Sequence, residues 1–283
     1  MNLSGQARFQ RWSEALPHEV SAGNPSGLCY NGAMKNMRLA MVALLLGLPP
    51  FWASGADQAQ GSPEKIRVLV VTGGHGFERD PFFQVFKDNP DISYEEVEHP
   101  KAHARLKAEA AKEYDVLVLY DMHQEITDEA KADFVARLQE GKGLVVLHHA
   151  IASYQAWPEY AKIIGARYYL EKTVVNGVEK ARSAYKEGMH FKIHVADTAH
   201  PVTRGVEDYE THDETYNLFD VAGECHPLLT TDEPLSNKVI AWAKTYEAAR
   251  VVYLQSGHDH FAYENPNYRQ VLRQAIRWTA KRS

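Results

Sequence analysis

Four runs of apolar, largely β-branched residues dominate the chain: Ile66-Arg67-Val68-Leu69-Val70-Val71, Tyr114 to Tyr120, Leu144-Val145-Val146-Leu147 and Arg250 to Gln255. A strand with one face in water alternates apolar and polar residues. Runs this unbroken suit strands buried on both faces, in a parallel sheet covered by helices. Helical segments lie between the first three runs. Asp80-Pro81 opens one, with Phe82, Phe83, Val85 and Phe86 as its apolar face. Ile92 to Val97 alternates as a strand nearer an edge, and Ala102 to Glu113 is expected as a polar helix. Thr127-Asp128-Glu129-Ala130 begins another helix with a capping pattern, ending at Gly141. This β-α-β-α-β-α-β order predicts an α/β fold with a mainly parallel, doubly wound sheet.

The second half is less regular. Pro158 to Ile164 forms a short helix, and 157–187 as a whole is expected as an insertion over the site. Phe191 to Val195, His226 to Thr230 and Lys238 to Thr245 give further strands, and Asn265-Pro266 caps a final helix through Trp278.

The N-terminal region is set apart from this pattern. Residues 1–33 carry no periodicity and are expected to be an over-long, disordered start. Residues 34–55 run from basic (Met34-Lys35-Asn36-Met37-Arg38) through apolar (Leu39 to Leu48) to small (Ala53-Ser54-Gly55), the order of a secretory signal peptide. The apolar run is short for a span of about 20 residues, so an uncleaved anchor is the second reading. Residues 56–65 are a linker, and 66–281 one domain. The protein is therefore expected to be exported, periplasmic or secreted, with no membrane attachment after cleavage.

The formal charge of −6 falls further without the leader, which holds Arg8, Arg11, Lys35 and Arg38 against Glu14 and Glu19. An acidic chain with no basic block argues against nucleic acid as a partner. Cys29 lies in the leader, which leaves Cys225 alone; one thiol makes no internal disulfide, and the neighbouring Glu224 disfavours a thiolate.

Candidate chemistry lies in four histidine-bearing segments, three of them just past apolar runs: Gly73-Gly74-His75, His148-His149, Thr211-His212-Asp213-Glu214-Thr215-Tyr216 and Gly257-His258-Asp259-His260. Open α/β sheets build their sites at the carboxyl ends of their strands. The glycine turn at 73–74 lacks dinucleotide or P-loop spacing, so no nucleotide cofactor is expected. His148-His149 holds no Ser or Cys. One of the two should face the crevice and the other the interior, with a hydrogen-bonded core histidine as the plain alternative. The 211–216 segment is expected as a loop folded back by Tyr209, Tyr216 and Phe219. The candidate acids and bases are Glu214, His258 and Asp213. His75, His148 and His149 are candidate ligands for a divalent metal, zinc first, given their N/O donor types. Gly74, Tyr154, Trp157, Tyr216 and Asp259 are candidate substrate contacts. His190 and His194 have strand spacing on one face, and His260 is expected at the surface.

At these residues the chain resembles the trehalose-utilisation (ThuA-like) family. The likeness rests on Gly-Gly-His-x-Phe at 73–77, His-His-Ala-Ile-Ala-Ser-Tyr with Trp157 at 148–157, and His-Pro-Val-Thr at 200–203. Asp-Glu-Thr-Tyr at 213–216, Gly-His-Asp at 257–259 and Ile276-Arg277-Trp278 complete it. It covers most of 66–281. It implies a flavodoxin-like three-layer sandwich similar to class I glutamine amidotransferases. Those enzymes carry a Cys at the elbow where this chain has His148-His149, so glutamine hydrolysis is not expected.

The resemblance also implies a small carbohydrate substrate, a disaccharide or its 3-keto form. The resulting expectation is an exported hydrolase or lyase acting on keto-disaccharides or glycosides by His/Glu acid–base chemistry, with metal assistance. Glu214 or His258 would be the base, and His75 and His149 would polarise the keto oxygen. The alternatives are a non-catalytic sugar-binding protein, with Tyr154, Trp157, Tyr168 and Tyr169 stacking on pyranose rings, and a scaffold module of the envelope.

Overall fold

The computed structural model describes residues 64–282. The readings of 1–33 and 34–55, and most of the 56–65 linker, lie outside the described residues.

The first half contains β1 (Ile66–Gly73), α1 (Arg79–Lys87), β2 (Ile92–Glu98), α2 (Ala102–Arg105), β3 (Val116–Asp121), α3 (Asp128–Gln139) and β4 (Gly143–Leu147). A 3-10 turn over His148–Ala152 leads to α4 (Pro158–Ile164), then β5 (Ala166–Arg167), β6 (Thr173–Val175) and β7 (Val178–Lys180). The remainder is β8 (Ala184–Val195), β9 (Tyr209–Asn217), β10 (Asp220–Val221), β11 (His226–Thr231), β12 (Val239–Tyr246), β13 (Ala249–Leu254), α5 (His260–Glu264) and α6 (Pro266–Thr279). Among the described residues, no helix is long and apolar enough to cross a membrane.

Nine strands form one sheet in the order β2-β1-β3-β4-β13-β12-β11-β8-β9. The five from β2 to β13 are parallel to one another, and β12, β11, β8 and β9 extend the sheet as an antiparallel wing. The period of two along each parallel strand divides the core. Val68, Val70, Val116, Val118, Val145 and Leu147 pack with α1, α5 and α6 on one face. Leu69, Val71, Leu117, Leu119, Leu144 and Val146 pack with α3 and α4 on the other. The expected three-layer α/β sandwich follows, because a strand apolar at every position must be covered twice.

Several local expectations need correction. The helix expected over 102–113 is a four-residue α2 and a separate 3-10 turn at Ala110–Glu113. Only Ala102, Leu106 and Ala111 of that stretch are core residues, too few for the apolar stripe that holds a surface helix. Helix α1 begins two residues early, at Arg79, with Glu78 as N-cap and no side-chain cap. The expected loop at 211–216 is strand β9, paired with β8. The insertion over 157–187 resolves into α4, β5, the β6–β7 hairpin and the start of β8. Other signals hold: the Thr127 hydroxyl accepts from Ala130 N, and the Asn265 side chain accepts from Asn267 N at the head of α6.

Candidate active site

A cavity of about 290 Å³ opens at the carboxyl ends of the parallel strands. It is near the lower end of the size range of small-molecule sites, about 300–1,000 Å³. His75 (after β1), His149 (after β4), Glu214 (on β9) and His258 (after β13) all line it. Met122, Ile151, Ala152 and Leu170 give it apolar walls, and Tyr168, Tyr185, Arg182 and Glu187 come from the inserted segments. A larger groove of about 510 Å³ runs between α1 and α6. Its charged groups are tied up in the pairs Arg269–Asp88, Arg273–Asp91 and Arg277–Asp91, with Asp91 shared by two arginines.

The two adjacent histidines divide the work of the site. His148 is 1% exposed and adopts φ +50, a left-handed backbone that β-region neighbours do not require. Such strain of about 1–3 kcal/mol persists only where the surroundings hold it. Its Nδ1 lies 2.6 Å from the Gln255 carbonyl oxygen. A carbonyl only accepts, so Nδ1 carries the proton and Nε2 points the other way, into a cluster. There Nε2 meets the Tyr216 hydroxyl at 2.8 Å, Glu214 Oε2 at 3.0 Å and His258 Nδ1 at 3.3 Å. His258 Nδ1 lies 3.5 Å from the same Glu214 oxygen. Among the described residues, His148, Glu214 and His258 form a group that could hold a metal ion, with one ligand atom each, all within 4.8 Å of one another. His149, 3% exposed, stacks on His75 at 4.4 Å between ring centroids, and neither of its ring nitrogens has a hydrogen-bond partner in the protein.

Electrostatics separate these groups. Burial pushes the Glu214 carboxyl up, but hydrogen bonds and charge from His148 and His258 outweigh it and hold it well below the ordinary range. The Glu214 hydrogen bond raises the His258 imidazole against the opposing effect of burial. Burial, with His148 and His75 nearby, drives His149 well below the usual histidine value, so it is neutral. Asp213 is raised by burial. It does not line the cavity. Its carboxylate accepts the backbone N–H groups of Glu214, Gly257 and His258 at 2.8, 2.9 and 3.0 Å, and so ties β9 to the 257–258 turn. Gly257 makes that turn at φ +124.

Four proposed substrate contacts lie away from the cavity. At Gly74 (φ +79) an added Cβ would stand 2.6 Å from the Met122 carbonyl carbon, so this glycine serves close packing of β1 against the segment after β3. The Tyr154 ring is buried, with its hydroxyl 3.1 Å from His99 Nε2. Trp157 packs edge-on against Phe134 in the α3–α4 core. Asp259 is the N-cap of α5 and accepts from Phe261 N. Tyr216 and Tyr168 do line the cavity, whereas Tyr169 is bonded to Asp220 outside it. His190 stacks on His212, and His194 binds Asp208 at 2.7 Å. His260 pairs with Glu78 at 2.9 Å. Burial raises the Cys225 thiol to about 11, as suits a structural residue.

Two groups of residues carried no usable signal in the sequence. Arg182 and Tyr185 reach the cavity from a polar stretch without periodicity. His99, His103 and His123 gather around the buried Asp121 and Tyr154, with His99 Nε2 2.9 Å from Asp121 Oδ2. Asp121 stands at the end of β3, a position at which a buried carboxylate could have been sought.

The trehalose-utilisation family model, ThuA, matches residues 67–279. A search of curated proteins finds no match. Among solved structures, a protein from Parabacteroides merdae described as ThuA-like superposes with a TM-score of 0.64 at 18% identity, covering 77% of this chain and 90% of its own. One from Bacteroides uniformis, described likewise, gives 0.58 at 18% identity over 78% and 94%. A cytoplasmic protein of Salmonella typhimurium gives 0.54 at 13% identity over 76% and 99%. At these identities the structures speak to fold alone. With the family model spanning nearly all of the described domain and the fold agreeing, the chain belongs to the ThuA, or trehalose-utilisation, family.

Proposed function

We propose that the protein is an exported enzyme that cleaves keto-disaccharides or keto-glycosides, such as oxidised trehalose, in the cavity above β4 and β13. The family description supports the sugar class, and the basic–apolar–small order of residues 34–55 supports export. The observation that carries the enzymatic reading is His149: a neutral, buried imidazole without a well-formed hydrogen bond at either ring nitrogen, lining the same cavity as the ionised Glu214 and its partner His258. A buried polar group without a partner costs about 1–3 kcal/mol, a cost met when a ligand supplies the partner.

The electrostatics favour roles opposite to those expected from sequence. The Glu214 carboxylate is engaged by His148 at 3.0 Å and His258 at 3.5 Å, so it serves as a fixed negative charge. His258, raised by Glu214, donates to the keto oxygen, and His149 takes the acidified proton next to the keto group. The glycosidic oxygen then leaves from the adjacent carbon and accepts a proton. One C–H and one C–O bond break, a C=C bond forms, and no redox partner is needed. Purified protein incubated with 3-keto-trehalose should release glucose, while unoxidised trehalose stays intact. Absence of product from any 3-keto-disaccharide would sink this reading.

Tyr168 and Tyr185 on the cavity wall favour a second reading, sugar binding without turnover. Calorimetric binding that survives Glu214→Ala combined with His258→Ala, with no product formed, would select it.

A further inference from the structure

We infer that His148 Nε2, Glu214 Oε2 and His258 Nδ1 form a three-ligand zinc site with its remaining position open to the cavity. The inference deepens the reading above by naming the cation at its electrophilic corner, and it rests on that reading only for what the ion does.

The argument begins with a proton count. The Gln255 carbonyl holds the Nδ1 proton of His148, which leaves the Nε2 lone pair directed at Glu214 Oε2 3.0 Å away. Two acceptors do not face one another at that distance without a positive charge between them. Tyr216 adds a third oxygen at 2.8 Å, and its single proton satisfies only one of the two. Either a second proton on a wholly buried imidazole or a metal ion supplies the charge. The distances suit the metal. The three ligand atoms are 3.0, 3.3 and 3.5 Å apart. Tetrahedral zinc with bonds of about 2.0–2.1 Å places its ligand atoms roughly 3.3–3.4 Å apart.

The surroundings have the form of a metal site. Ligating histidines commonly donate their other N–H to a carbonyl or carboxylate, as His148 does to Gln255. Asp213 clamps the backbone of both other ligands. Glu214 and His258 line the cavity, so an ion bound there is accessible to substrate. The donor set of two imidazoles and one carboxylate is that of catalytic zinc sites with an open fourth position. Zinc held there would supply the polarising charge for the keto oxygen in place of the His258 proton, and His149 would keep its role as proton acceptor. The ligand set also departs from the sequence expectation of His75, His148 and His149: His75 and His149 stack face to face and are not part of it.

The test uses chelator-treated full-length protein titrated with zinc by calorimetry, with elemental analysis after dialysis and cobalt substitution read by visible absorption. The expected result is one ion per chain, a tetrahedral cobalt spectrum and a zinc-dependent rise in Tm. Affinity should fall roughly 100-fold or more in His258→Ala and in Glu214→Ala, and stay unchanged in His75→Ala. Because His258 is half-buried, its variant should keep the native circular dichroism spectrum. No zinc uptake by the folded protein, or uptake undiminished in His258→Ala and Glu214→Ala, would overturn the inference. The binding readouts need no substrate: zinc binding without ketosugar turnover removes the enzymatic reading and leaves the metal site, and failure to bind zinc in a protein that still turns over ketosugar does the reverse.

Discussion

At the scale of single residues, the site trades stability for reactive groups. His149 is buried with both ring nitrogens unpartnered. Replacing it with leucine removes that penalty, so His149→Leu should hold or raise Tm by the equivalent of about 1 kcal/mol, while turnover of a 3-keto-disaccharide falls about 10²–10⁴-fold. Thermal melts beside rate measurements check both parts; an unstable or fully active variant contradicts the assigned role. Gly74 presents the opposite case. Its φ of +79 and the 2.6 Å approach to Met122 leave no room for a methyl group. Gly74→Ala should cost about 1–3 kcal/mol in chemical denaturation. The sequence marked both positions, since a Gly-Gly-His turn and a His-His pair after apolar runs are hard to place elsewhere. It assigned Gly74 to substrate because a glycine that meets backbone and one that meets a ligand look alike in sequence.

At the scale of elements, the informative failures are polar strands and short helices. Strand β9 contains Glu210, His212, Asp213 and Glu214 and has the composition of a loop. It is a strand because β8 supplies its ladder and because Asp213 accepts from the backbone N–H groups of Gly257 and His258. None of those partners is near in sequence. Helix α5 has only five residues and depends on its cap. Asp259→Ala should therefore lower stability by about 1 kcal/mol, measured by denaturant unfolding, with sugar binding unchanged. A specific loss of binding at full stability would instead restore Asp259 as a substrate contact.

At the scale of the whole molecule, half-buried histidines contribute to the response to acid. Burial lowers His103 to about 4 and also lowers His123 and His200 from the ordinary 6.5. Their folded values lie below their unfolded ones, so the unfolded chain takes up protons that the folded chain refuses. Stability is therefore full above pH 6.5 and declines as pH falls towards 4. Tm recorded across that window should drop, and His103→Gln should make the slope shallower. A flat profile would mean that these rings are solvated in solution.

The sequence by itself determined the layered α/β architecture, because strands apolar at every position have to be covered on both faces and because caps and glycines mark where helices start and stop. It also determined which strand ends would carry imidazoles. Only the tertiary structure decided which of these rings meet. That His148 turns its Nε2 towards Glu214 and His258 depends on a Gln255 carbonyl 107 positions away. That Tyr154 and Trp157 serve the core depends on α3 and the His99 cluster. Periodicity records whether a side chain is buried, and it contains no information about which distant partner buries it.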